Sequence, residues 1–344
     1  MLLAVGAALM LVLAACEADD VEPDVADDPD DEVTPDDDDV AETDWFPERE
    51  VTMVVPFAAG GGSDLLGRAM VGGMEEIEPD IDFAVEVRDG GSGAVGYGHL
   101  FEQSGDPHFL LPSEVTRSNL PFAQDVPFDY DSWTDIVMLG EDMGYLVVSD
   151  DSEWETIEEF MESAEEASEA GQPLRVGLPG AAGVDEVTVF QLGQEGGFDF
   201  ERTIYDGTGE TNPALLAGDI DATVVNPSDG RSELEAGEFR AILGFGAERL
   251  DDEILGDVPV APEMGWDITG TKYRGMIAAP DIPDEARDFW IGLGQQIPET
   301  DTWQEYMEEA MLAENVLIGE EWVQWLEDSW HPAVLPDLEA MLED

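Results

Sequence analysis

Gly60, Gly61 and Gly62, followed by Ser63 and Asp64, stand where an apolar run ends and an amphipathic one begins. Residues of these types can hold an anion. Glycine lets the backbone come close to a ligand, the first N–H groups of a helix have no intrahelical acceptor, and the helix dipole favours negative charge there. Positioning them takes a buried strand over Val51–Val55 broken by Pro56, a turn through Phe57, Ala58, Ala59 and the glycines, and a helix over residues 64–77 opened by Ser63 or Asp64. A Walker A phosphate loop would need Gly-Lys-Ser/Thr, but the only lysine is Lys272. A dinucleotide fingerprint would need G-x-G-x-x-G, and Gly67 falls too deep in the helix to complete one. A βα turn whose glycines serve only tight packing remains open as an alternative.

The same grammar recurs. Residues 174–178 read as a strand, Pro179, Gly180, Ala181, Ala182 and Gly183 as a small-residue turn, and the stretch from Val184 as a helix. Ile204 and Tyr205 lead through Gly207, Thr208 and Gly209 into another helix. In α/β sheets such loops gather at the carboxyl ends of the strands, where ligands bind, so loops from two domains could face each other across a cleft.

The 344 residues include 83 acidic and 12 basic side chains, a net charge of −71. Such a surface repels itself in dilute buffer and suits concentrated salt, where the Debye length shrinks from about 10 Å at 0.1 M to about 3 Å at 1 M. Nucleic acid is excluded as a partner, since phosphate binding needs clustered Lys and Arg. Carboxylates this abundant fall near one another by chance, so no acid–base pair is named.

Residues 1–15 are apolar and uncharged and end at Cys16, the only cysteine. That is too short to cross a bilayer of about 30 Å but fits a signal-peptide core. Leu13-Ala14-Ala15-Cys16 resembles a lipobox, in which the chain is cut before the cysteine and its thiol acylated. The missing basic n-region suggests a true start further upstream. Residues 17–44 carry 16 Asp or Glu, three prolines and no basic residue, the composition of an extended acidic tether. At about 3.3 Å per residue such a tether reaches at most roughly 90 Å. Asp36–Asp39 lack the spacing of a calcium loop.

From Trp45 onward, strand candidates alternate with amphipathic helices, which predicts an α/β fold with mainly parallel sheets. Further helices are predicted over residues 156–170, 185–195, 210–217, 285–296, 302–313 and 320–330, the first marked by a Thr156/Glu159 capping box. The tryptophans of the last helices read as packing.

Val54-Val55-Pro56-Phe57 with Gly60-Gly61-Gly62-Ser63-Asp64, residues 86–93 (EVRDGGSG), residues 205–209 (YDGTG), residues 215–221 (LLAGDID) and residues 235–242 (EAGEFRAI) follow one another in an order that resembles the substrate-binding proteins of tripartite tricarboxylate transporters. The likeness continues from Arg249 through Val258-Pro259 to Glu263-Met264-Gly265 and spans about residues 48–330. It implies a two-domain type II periplasmic-binding-protein-like (Venus flytrap) fold, with residues 45–147 and 272–344 as a discontinuous first domain and 148–271 as the second. It also implies that a ligand carboxylate is held by backbone N–H groups and ordered waters at Phe57 to Asp64 and at Pro179 to Gly183, with Gly207 and Thr208 at the rim. Asp64 would either touch the ligand or cap its helix, a role worth about 1 kcal/mol. Where the family often has a hydroxyl residue and a histidine, this chain has Ala181, Ala182 and Asp185.

Catalysis has little support. His99, His108 and His331 form no metal-ligand spacing, Gly91-Ser92-Gly93 is no nucleophile elbow, and neither a cofactor nor a metal is called for. The expectation is a monomeric, exported, lipid-anchored solute-binding protein on the outer face of the cytoplasmic membrane, with a small organic carboxylate and integral membrane transporter subunits as partners. A sensor or scavenger of the same fold, and an extracellular enzyme on the same frame, are the alternatives.

Overall fold

The computed structural model describes residues 45–180, 183–205, 207–268 and 270–343, so Cys16, the acidic segment, Ala181 and Ala182 lie outside the described residues. Its strands are β1 (Val51–Val55), β2 (Phe83–Val87), β3 (Phe109–Ser113), β4 (Thr134–Met143), β5 (Tyr145–Ser149), β6 (Arg175–Leu178), β7 (Glu201–Ile204), β8 (Ala222–Val225), β9 (Phe239–Gly244), β10 (Thr271–Ala278) and β11 (Ala313–Ile318). Between them run α1 (Gly62–Ile77), α2 (Ala94–Phe101), α3 (Thr116–Ala123), α4 (Ile157–Glu169), α5 (Val184–Gly196), α6 (Thr208–Ala217) and α7 (Pro227–Ala236). The C-terminal part adds α8 (Asp284–Gly294), α9 (Asp301–Ala310), α10 (Glu320–Trp325) and α11 (His331–Glu343).

The strands form two sheets, ordered β11-β4-β10-β3-β1-β2 and β7-β6-β8-β5-β9. β1 pairs in parallel with β2 and β3, and β6 with β7 and β8. Every ladder that includes β4, β5 or β10 is antiparallel. The sheets are therefore mixed, not mainly parallel as the strand–helix alternation predicts. The cause is the crossing between sheets: β4 leaves the first sheet, passes through Gly144 and becomes β5 of the second, while the return path enters β10 through Gly270. Strands that cross in this way run against the parallel βα units on either side. At the crossing the Gly144 N–H donates to the Gly270 carbonyl at 2.9 Å, and a Cβ on Gly144 would lie 2.7 Å from that oxygen. Backbones this close leave room only for glycine.

One core packs around the first sheet with Trp290, Trp303, Trp322 and Trp330 fully buried, as expected for packing residues; a second lies on the sheet built around β6 and β8. Half of the α4 capping box forms, Thr156 accepting from the Glu159 N–H at 3.3 Å, while the Glu159 carboxylate accepts from the Glu155 N–H at 2.8 Å and not from that of Thr156. Two C-terminal expectations change. The helix predicted to residue 313 stops at Ala310, because Met311 turns left-handed (φ +51°) and leads into edge strand β11. The helix predicted over residues 320–330 is α10 followed by a π-helical turn, Leu326–Trp330, which passes into α11.

Candidate functional site

The first glycine loop leaves the carboxyl end of β1. Gly60 is left-handed (φ +81°), Gly61 is the N-cap of α1, and the helix starts at Gly62. Ser63 and Asp64, expected to open the helix, are its second and third residues. Gly61 supplies no side-chain cap. Asp64 does not cap the helix either but ties down the loop before it: Oδ2 accepts the Gly60 N–H at 2.8 Å, and Oδ1 lies 3.0 Å from Arg68 Nε. The neighbouring guanidinium and that N–H hold its carboxyl below the ordinary range, against the opposing pull of burial. Both oxygens of Asp64 thus serve its own loop.

The N–H groups of Gly62 and Ser63 donate to no acceptor among the described residues, and Ala58 to Gly62 are exposed. A Cβ on Gly60 or Gly62 would meet nothing within 4 Å, whereas one on Gly67 would press on Val55, Pro112 and Met53 at 3.2–3.4 Å. Tight packing therefore accounts for Gly67 and not for Gly60 or Gly62, whose open side leaves room for something else.

The second loop leaves β6 at Pro179. Gly183 caps α5, and a Cβ on Gly180 or Gly183 would again meet open space. The N–H groups of Val184 and Asp185 have no acceptor among the described residues. Gly207 (φ +123°) caps α6, with Thr208 as its first residue. Asn226 caps α7 after β8. Because β6, β7 and β8 are parallel, these three helix N-termini lie at one end of the sheet. No hydrogen bond or ion pair joins residues 57–62 directly to residues 179–183 among those described.

A buried polar chain connects the helices instead. The Ser63 hydroxyl donates to Glu114, and Arg274 reaches Glu114 Oε2 through Nη1 and Asp142 Oδ2 through Nη2, each at 2.5 Å. The Ser228 hydroxyl donates to the same Asp142 oxygen at 2.8 Å, and Lys272 Nζ lies 3.0 Å from Asp185 Oδ2. Ser63, Asp185 and Ser228 are the second residues of α1, α5 and α7. Alternate positions of β10, Lys272 and Arg274, thus gather three helix N-termini from both sheets. Burial opposes the charge on Lys272, but Asp185, Asp229 and Asp142 outweigh it and hold the ammonium charged beyond its usual range. Burial likewise opposes Arg274, and Glu114 and Asp142 outweigh it. Asp229, the third residue of α7, touches solvent, yet protein crowds around it. That loss of bulk water raises its pKa, only partly offset by Lys272.

Other features are structural. His331 Nε2 sits 3.0 Å from the Ser118 hydroxyl, and burial with help from Arg117 lowers its pKa to about 4. His108 pairs with Asp106, and His99 packs edge-on against Phe109. A cavity of about 720 Å³ between Trp133 and Gly319 is lined by none of the glycine loops.

Residues 73–288 match the model of a family described as the tripartite tricarboxylate transporter family receptor. The chain belongs to this family. This receptor is 26% identical over 243 residues to the UPF0065 protein in the gbd 5′ region of Cupriavidus necator, covering 69% of this chain and 71% of the relative. A crystal structure of a TctC solute binding protein from Polaromonas superposes with a TM-score of 0.70 at 20% identity, covering 86% of this chain and 96% of that one. An R. palustris protein with adipate superposes with a TM-score of 0.72 at 17% identity, covering 86% and 98%. Family and fold are those of solute-binding proteins of the Venus flytrap type, not of enzymes.

In the receptor, Glu114, Asp142, Ser228, Asp229, Lys272 and Arg274 are the site-region residues that the sequence did not single out. A usable signal was present. Acids are too common to be informative, but with only 12 basic residues, the sole lysine two positions from an arginine in a strand is a distinctive pair.

Proposed function

We propose that this receptor captures a small organic carboxylate between the N-termini of α1 and α5 and delivers it to the membrane subunits of a tripartite tricarboxylate-type transporter. The observation that carries the proposal is the pair of glycine loops with unpartnered N–H groups and open Cβ space on two different sheets. Phe57 to Asp64 form one jaw and Pro179 to Gly183 the other, with Gly207 and Thr208 at the rim. Backbone donors and helix dipoles attract a carboxylate at short range, while molar salt screens the repulsion of the acidic surface. The first sheet with its helices acts as one domain and the second sheet with its helices as the other, flexing at the Gly144–Gly270 crossing. A protein of this kind works outside the cytoplasmic membrane as a monomer, and the lipobox at Cys16 with its acidic tether would hold it there. The adipate in the R. palustris protein is a ligand of this chemical kind.

The test is a thermal-shift panel of mono-, di- and tricarboxylates and amino acids on the purified protein in molar salt. A true ligand at 100 times its Kd should add roughly 2.7 kcal/mol of stability. Absence of any shift in demonstrably folded protein removes the proposal.

A further inference from the structure

We infer that a cavity on the far face of the crossing strands is a second ligand site, which takes a small quaternary ammonium cation between tryptophan rings and the carboxylate of Glu141. The cavity shares no residue with the glycine loops, so the inference stands apart from the carboxylate reading above.

Along a strand, successive side chains point to opposite faces. On β4, Asp142 faces Arg274 and Ser228, so its neighbour Glu141 faces the other way. There a cavity of about 260 Å³ is lined by Glu141, Trp325 and Trp330 on the side of the first sheet and by Phe245, Trp266 and Asp267 on the side of the second. That is below the roughly 300–1,000 Å³ of pockets for drug-sized ligands, so the guest is small.

Glu141 is half-buried and forms no ion pair among the described residues: Asn315 Nδ2 donates to Oε1, and Oε2 has no partner. Burial raises its pKa, against the pull of that amide. A carboxylate withdrawn from water is normally paired with a cation, and no basic residue lines this cavity. Asp267, exposed at the mouth, adds negative charge. The walls decide which cation fits. Indole rings accept no ordinary hydrogen bond, and the Trp330 N–H is already given to the Thr271 carbonyl at 3.1 Å. A primary ammonium would bring three donors to walls poor in acceptors, whereas a methylated one offers C–H surface to the ring faces and its charge to Glu141.

The test is isothermal titration in molar NaCl with choline and with 3,3-dimethylbutan-1-ol, its neutral carbon isostere. Choline should bind one equivalent, at least about tenfold more tightly than the isostere. Glu141→Gln, which keeps an acceptor for Asn315, should weaken choline binding about tenfold, and Trp325→Leu should weaken it by a similar factor. Asp151→Asn, a charge removed from the exposed surface, should change nothing, which separates the site from the general pull of an acidic protein. No saturable binding, equal affinity for the isostere, or unchanged binding in folded Glu141→Gln overturns the inference and leaves carboxylate capture untouched.

Discussion

The two glycine loops read alike in sequence but are held in different ways. The first is locked by its own sheet: Asp64 ties Gly60 to Arg68, and Ser63 is anchored through Glu114 to Arg274. The second has its helix tied by Asp185 to Lys272, a residue on a strand of the other sheet. One jaw is preset, and the other takes its place through a bond that must be made between sheets. A shift in population between open and closed states requires contacts that differ between them, and the Lys272–Asp185 bond, which crosses from one sheet to the other, is the tie that the proposed closure would act on.

The comparison can be broken at each tie. Arg274→Met leaves Glu114 and Asp142 buried without their cation and should cost about 3–5 kcal/mol in denaturant unfolding, loosening the first jaw. Lys272→Met should cost about 2 kcal/mol, since one hydrogen bond to a charged group is lost. It should also weaken ligand binding while α1 stays ordered, which hydrogen exchange of the α1 amides would check. Gly62→Val should weaken binding by about tenfold with stability within about 0.5 kcal/mol, whereas Gly67→Val should lose about 1–3 kcal/mol by overpacking. Equal loss of binding and stability at Gly62 would return that glycine to a packing role.

The smallest effect concerns pH. α11, which carries His331, packs on α5, with Gln191 donating to the Ala333 carbonyl at 2.9 Å. The folded state keeps His331 neutral down to about 4, while the unfolded chain takes up a proton near 6.5. The unfolded state binds more protons in that window, so this contribution is complete above pH 6.5 and is lost as pH falls towards 4. His331→Gln should flatten the stability profile over that range.

The βα units were legible because their signals are local. The apolar runs of β1, β6 and β8 end at Pro56, Pro179 and Asn226, and the strands fall where the pattern puts them. The antiparallel ladders were not legible, since their pairing joins residues far apart in the chain, such as Lys272 opposite Asp142 and Tyr145 opposite Gly244. β11 was hidden because Glu314 and Asn315 interrupt its apolar run on an edge exposed to solvent. In the site, backbone donors could be foreseen from glycine and helix-start patterns. Glu114 and Asp142 could not, because in so acidic a chain only the fold distinguishes a buried carboxylate from a solvated one.

The most direct test of the two-jaw account is a ¹H–¹⁵N NMR titration with the tightest-binding carboxylate from the panel. The amides of Gly62 and Ser63 and those of Val184 and Asp185 should move together, saturating at the same ligand concentration. Shifts confined to one loop, or absent from both while the ligand binds, would contradict it.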